Sequence, residues 1–268
     1  MSHADKNIEV FHDTIRLCET HERLKAAVFK STSLQKFIRE ADVFPRPNLR
    51  VNERPANVII SEKRTFEAAK GYAGTKTAVL NFANAWSVGG GVEHGANAQE
   101  ECLCRSSGLF LSLKALEKEF YQSHRESFNA LANDDLIYTP NVLVFKTDAW
   151  IPKLMPEAEW YAVDVITCAA PCLDPSVFKG RLPSEKLFAI HVKRLTRILD
   201  VAVMNGAETI VLGAFGCGAF ANDPKVVSAA FKQVIERYAH AFKNIELAIY
   251  GSDYTSENYE IFCEVLSS

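Results

Sequence analysis

Apolar positions along the chain fall into two rhythms. Short apolar runs of strand length occur at Val58–Ile60, Thr77–Phe82, Val142–Phe145, Ala162–Thr167, Thr209–Leu212 and Ile245–Tyr250. Between them lie segments with helical spacing. One follows Thr65, which can cap it, and stops at Gly71. A long helix is predicted from about Ala98 through Leu103, Phe110, Leu111, Leu113 and Leu116. Ser184 opens another, with Leu187, Ile190, Leu195, Ile198, Leu199 and Ala202 on one face and Gly206 at its end. Asp223 followed by Pro224 is a strong start signal for a helix that buries Val227, Phe231, Val234 and Tyr238. Glu257–Leu266 is the last helix. Upstream, Ile8, Phe11, Ile15 and Cys18 give residues 7–30 one buried helical face. Pro45, Pro47 and Pro55 make residues 42–56 an extended connector, and Leu136–Pro140 reads as a turn or a short extended piece.

From residue 57 onward strands and helices alternate, the pattern of an α/β sheet covered by helices on both faces. The 268 residues show no linker that would divide them, so residues 1–268 are read as a single domain, with 1–56 as a helical extension packed on it. Hydrophobic residues make up 48% and charged residues 24%, enough apolar material for a sizeable core. The net charge of -3 argues against broad electrostatic binding to nucleic acid and leaves room only for a local basic patch; no sequence-specific nucleic-acid binding is expected. No run is long and apolar enough for a membrane span, and MSHADKNIEV has no apolar signal core. The seven cysteines are scattered, without zinc-site spacing, and read as reduced cytoplasmic thiols. A monomer is expected.

Two loops change this bland picture. After the strand Thr77–Phe82 come Gly89, Gly90 and Gly91, and seven residues later Gln99, Glu100 and Glu101 at a helix start. Three successive glycines cost chain entropy and bury nothing, so they point to a tight backbone turn or a close ligand. Adjacent carboxylates beside such a loop suggest acid–base chemistry; the bland alternative is a tight turn with first-turn glutamates. The second loop, Gly213–Phe220, leaves the strand Thr209–Leu212 and enters the helix started by Asp223. Glycine loops that lead into helix N-termini suit phosphate, and the carboxyl edge of an α/β sheet is where ligands bind. Neither loop fits the NTPase phosphate-loop or the dinucleotide fingerprint.

GGG, seven residues, then QEE, flanked by LNFANA and LCRSSGL, resembles the signature of bacterial-type poly(ADP-ribose) glycohydrolases. LGAFGCGAFANDP is similar to that family's diphosphate loop, and the resemblance covers about residues 57–268. It implies a macrodomain-like three-layer α/β/α fold with a mixed, mostly parallel sheet. It implies hydrolysis of ribose–ribose O-glycosidic bonds in poly(ADP-ribose), mainly from chain ends, with ADP-ribose as product and no cofactor or metal. The alternatives are removal of single ADP-ribose units from modified macromolecules, and ADP-ribose binding without cleavage. By the same resemblance Glu101 is the general acid and base, and Glu100 orients the sugar. A charged Glu100 next door favours a protonated Glu101, whereas the helix N-terminus favours the charged form; the sequence leaves these effects opposed. Asn84 is implied at the distal ribose, and Gly89, Gly90, Gly91 and Gln99 as further substrate-binding residues of the same loop. Gln99 ties that loop to its neighbours. Gly216, Cys217, Gly218 and Ala219 are implied as a backbone nest for the diphosphate, with Phe220 against the distal ribose. Phe215 fits core or site equally, and His94 faces solvent. Tyr250 or Tyr254 would stack on adenine, and Glu62 would bond its amino group.

Overall fold

The computed structural model describes residues 2–251 and 256–267. Two helices open the chain, α1 (His3–Thr20) and α2 (Glu22–Leu34). The short strand β1 (Lys36–Ile38) follows, then β2 (Asn57–Ser61), α3 (Thr65–Lys70) and β3 (Thr77–Ala83). Next come α4 (Gln99–Ser106), α5 (Leu109–Lys114), α6 (Ser123–Glu126), β4 (Leu136–Val144) and β5 (Tyr161–Ala169). The chain closes with α7 (Ser184–Met204), β6 (Thr209–Leu212), α8 (Pro224–Arg237), β7 (Asn244–Ala248) and α9 (Ser256–Ser267).

The described strands form one sheet in the order β1-β4-β5-β3-β6-β7-β2. β5, β3, β6, β7 and β2 run parallel, and β4 and β1 add antiparallel pairings at one side. The alternation of side chains along each strand sorts the core into two layers. Ala78, Leu80, Ile210 and Leu212 face a cluster with Leu195, Ile198 and Leu199 of α7 and Val227 and Phe231 of α8. Val79, Val165 and Val211 face the opposite way, onto Phe11 and Cys18 of α1, Leu24 of α2, Phe66 of α3 and Leu103 of α4. This is the expected α/β/α sandwich with a mixed, mostly parallel sheet.

Several local expectations are corrected. The long helix after Ala98 is broken at Ser107 and Gly108. Ser107 turns extended and pairs with Val144, and Ser106 O accepts from the N–H groups of Phe145 and Lys146 at 3.1 Å each. Tertiary pairing of the backbone therefore overrides the helical spacing. Leu136–Pro140 and Val142–Phe145 are not separate pieces but parts of one strand, with a bulge between Thr139 and Val142. Proline supplies no N–H to a ladder, and a bulge accommodates it. The freed Asn141 N–H donates to Asp164 Oδ1 at 2.9 Å. Thr65 begins α3 rather than capping it; the Arg64 N–H is held instead by Glu67 Oε2 at 3.2 Å. The last strand stops at Ala248, so Tyr250 lies beyond it. Asp223 caps α8 as expected, accepting from the Lys225 N–H.

α1 is tied to the loop that carries the glycine triplet. Asn7 is fully buried, and its Nδ2 donates to Gly95 O at 3.0 Å. Lys146, also buried, donates to Val10 O and pairs with Asp13 at 2.8 Å. Gly95 has φ +77°, and a Cβ there would run into the Ala4 carbonyl. Gly95→Ala is therefore expected to lower unfolding free energy by about 1–3 kcal/mol, read as a shift in the urea midpoint, because both backbone strain and a backbone clash oppose it.

Candidate active site

A cleft of about 710 Å³ runs along the carboxyl edge of the sheet. Its walls come from the two glycine loops, the first turns of α3 and α4, and the segment after β7. Asn84, Gln99, Glu100 and Glu101 line it on one side, and Gly216, Gly218, Ala219 and Phe220 on the other. The two motifs therefore meet across one opening.

The two carboxylates are held differently. Glu100 is 2% exposed, and both its oxygens have protein partners. Oε1 accepts from Asn81 Nδ2 at 3.1 Å and Oε2 from the Asn84 N–H at 2.8 Å. Burial is the main influence on Glu100; it outweighs those two donors and pushes the carboxyl up to about 8. The Glu101 charge adds to the rise. A largely protonated Glu100 at neutral pH supplies little charge to bias its neighbour. Glu101 is 7% exposed. Its Oε1 accepts from the Gly91 N–H at 2.9 Å, while its buried Oε2 has no partner among the described residues.

The glycine triplet acts behind this pair. Gly89, Gly90 and Gly91 do not line the cleft, contrary to the expectation of direct ligand contact. Gly90 has φ +61°, and a Cβ there would collide with Glu101 Oε1. The tight turn is needed so that backbone can pass under the carboxylate and Gly91 can donate to it. Gln99 is a tie, as expected. Its Oε1 accepts from the Phe82 N–H at 2.9 Å, and its Nε2 donates to Leu80 O at 2.7 Å and Thr65 Oγ1 at 3.0 Å. The Asn84 side-chain Oδ1 is also engaged, accepting from the backbone N–H groups of Trp86 and Ser87 at 2.8 and 2.9 Å. That turns the loop sharply after β3.

The second loop rests on a buried polar pair. His191 Nε2 donates to Asn222 Oδ1 at 2.8 Å. Asn222 Nδ2 in turn donates to Pro171 O at 2.7 Å and Phe220 O at 3.0 Å. Burial lowers the His191 pKa to about 4, so the ring is neutral over the physiological range. Phe215 is fully buried between Phe82 and His191, with centroids 5.6 and 5.7 Å away, and still lines the cleft floor. Cys217 does not line the cleft; it packs against the core beneath the loop, and burial raises its thiol pKa.

At the far end Tyr250 lines the cleft, 46% exposed, with the Arg64 guanidinium 4.0 Å above its ring. Glu62 is exposed and not part of the wall, because β2 ends at Ser61 and the following side chain turns outward. Tyr254 lies outside the described residues. His94 is exposed, as expected. Sequence reasoning missed Lys63, Arg64, Asp148 and Trp150, which also line the cleft. The Asp148 carboxyl is raised by burial, and its Oδ2 accepts from the Phe66 N–H at the start of α3. These residues carry no motif; only proximity to the end of β2 could have flagged the first two. Among the described residues no group of three or more His, Cys, Asp and Glu side chains is placed to hold a metal ion.

Burial of Glu100 links stability to pH. Between its ordinary value of 4.5 and about 8, the folded chain keeps a proton that the unfolded chain has lost. Unfolding free energy then falls as pH rises through that window and levels off above it. Thermal unfolding from about pH 5 to pH 9 is expected to show a clear decline that Glu100→Gln flattens; parallel curves would refute the assignment.

Comparison with known proteins agrees with the site. The family model "Microbial-type PARG, catalytic domain" matches residues 12–147. No curated protein matches. Poly(ADP-ribose) glycohydrolase from Thermomonospora curvata has 28% identity and a TM-score of 0.84, with 97% of this chain and 98% of that chain covered. The same enzyme bound to the inhibitor ADP-HPD gives 30% and 0.83, covering 96% and 98%. Poly(ADP-ribose) glycohydrolase from Deinococcus radiodurans in complex with ADP-ribose gives 29% and 0.75, covering 90% and 96%. With the glycine triplet, the QEE turn and the second loop assembled on one sheet edge, the chain belongs to the microbial-type poly(ADP-ribose) glycohydrolase (PARG) family.

Proposed function

We propose that the chain hydrolyses the ribose–ribose O-glycosidic bond of poly(ADP-ribose), mainly from chain ends, releasing ADP-ribose, with Glu101 as general acid and then general base. A single catalytic domain does this, with residues 1–56 as its helical extension. The observation that carries the reading is Glu101 Oε2, a buried carboxylate oxygen in the wall of the cleft without a partner among the described residues. A buried oxygen left unpaired is costly, and the glycosidic oxygen of a bound sugar is the partner it lacks.

Cleavage breaks the bond between the distal anomeric carbon and the leaving ribose oxygen. Glu101 Oε2 gives its proton to that oxygen as the bond lengthens. Positive charge builds on the anomeric carbon and is shared by the ring oxygen of the same sugar. The resulting Glu101 carboxylate takes a proton from the water that adds to the carbon. This restores the acid and leaves a hydroxyl on each ribose. One carboxyl group thus serves both steps, because the oxygens of Glu100 are held by Asn81 and the Asn84 N–H. Glu100 is a positioning residue that sets the first turn of α4 and presents Asn84 to the sugar. The N–H groups of Gly216, Gly218 and Ala219 form the diphosphate nest, the Cys217 N–H being spent within the loop on Ala214 O at 3.0 Å, and Phe220 packs on the distal ribose. Tyr250 stacks on adenine in this reading, which its position in the cleft wall supports; Arg64 covers one face of its ring.

Glu101→Gln keeps the shape and the bond from Gly91 but carries no transferable proton. Release of ADP-ribose from polymer is expected to fall roughly 100-fold or more, while calorimetry finds ADP-ribose bound within a few-fold of wild type. Full activity in this variant would overturn the reading, and faster turnover of mono-ADP-ribosylated protein than of polymer would shift it to the single-unit reaction. Asn222→Ala removes the donor to Pro171 O and Phe220 O. Two hydrogen bonds at about 1 kcal/mol each imply ADP-ribose binding weaker by on the order of ten-fold, measured by calorimetry.

A further inference from the structure

The scissile bond ends on a ribose that carries a base. In the polymer, the leaving oxygen sits on the carbon next to the one that bears adenine. When the distal ribose lies between Asn84 and Phe220, that second base must emerge just outside the cleft beside them. An aromatic surface stands there. The Trp86 ring is 6.5 Å from Phe220, and Phe128 lies 5.2 Å beyond it, tilted 33° from the Trp86 plane. Neither Trp86 nor Phe128 lines the cleft; they continue the Phe220 wall outward.

The platform is firmly held. The Trp86 N–H donates to Asn84 Oδ1, and its carbonyl accepts from Arg125 Nη1 at 2.7 Å. Arg125 is itself anchored by an ion pair with Glu117. The indole packs on Ala85, Ala132 and Ala169. Phe128, in contrast, is 59% exposed. A large exposed ring stacked on a fixed indole, continuous with the reacting end of a cleft, is what a π-face ligand needs.

We propose that Trp86 and Phe128 form a stacking site for the purine on the leaving side of the scissile bond. The site rests on the glycosidase reading above and adds a preference to it: substrates whose leaving ribose carries a base are favoured over those whose leaving group lacks one. Stacking binds a planar base without reading its edges, so the contact holds the leaving unit in line with Glu101 and tolerates repeated use along a polymer.

The test uses two substrates: a dimer of ADP-ribose, and the same dimer with hydrogen in place of the leaving-side adenine. Wild type is expected to show roughly ten-fold higher kcat/KM for the complete dimer. Phe128→Ala is expected to bring that ratio close to one, and Phe128→Tyr to keep it. Because Phe128 is largely exposed, the substitution removes little core packing, and the thermal unfolding midpoint checks this. A ratio near one in wild type, or an unchanged ratio in Phe128→Ala, overturns the stacking site while leaving the glycosidase reading intact. Cleavage of neither dimer by wild type removes both.

Discussion

Burying two neighbouring carboxylates at the mouth of a sheet is the constraint around which this structure is arranged. Each ionised carboxylate taken out of water demands compensating donors or a proton. Glu100 receives two donors and still has its pKa raised to about 8. Glu101 receives one donor and keeps an open oxygen. That asymmetry separates a carboxylate with both oxygens engaged from one with an oxygen left open to the cleft. The positive φ of Gly90, the turn after β3 and the three bonds of Gln99 all serve to present α4 in this pose.

The support reaches well beyond the cleft. α4 is short because its end is drawn into pairing with β4, and the loop before it is fastened to α1 through Asn7 and Gly95. On the other wall, the neutral His191 fixes Asn222, which clamps the second loop at Phe220. Each side of the cleft therefore has its own buried polar anchor, and each anchor is satisfied from a helix on a different face of the sheet. Preorganisation of this kind lets the site meet its ligand without refolding a loop.

Much of this was legible in the residues themselves. The parallel strands, the Asp223–Pro224 helix start and both glycine loops carry local signals strong enough to survive tertiary packing. What was not legible depends on distant partners. β1 is three residues long and only partly buried, so it has no pattern of its own. The break between α4 and α5 arises from the meeting of Ser107 with Val144, far apart in sequence. β4 reads as interrupted at Pro140 because the Asp164 side chain that accepts the Asn141 N–H comes from the next strand. Within the site, QEE was recognisable as a unit, but the raised pKa of Glu100 follows from its burial in the folded chain, against the two donors Asn81 and Asn84. Lys63, Arg64, Asp148 and Trp150 reach the cleft by folding alone, without a motif, and Glu62 was misplaced because a single residue decides which way a chain leaves a strand.

The raised pKa of Glu100 has a consequence for long-range attraction. A cleft meant for a diphosphate would repel its own ligand if both acids were ionised. With Glu100 largely protonated at neutral pH, the pair carries close to one negative charge at most, and the cleft presents a weaker field against an anionic ligand. Above about pH 8 the Glu100 charge appears, and the approach of a polyanion slows as the site turns more negative. Depth of burial at one residue thus sets the alkaline boundary within which a highly charged polymer can still be drawn in.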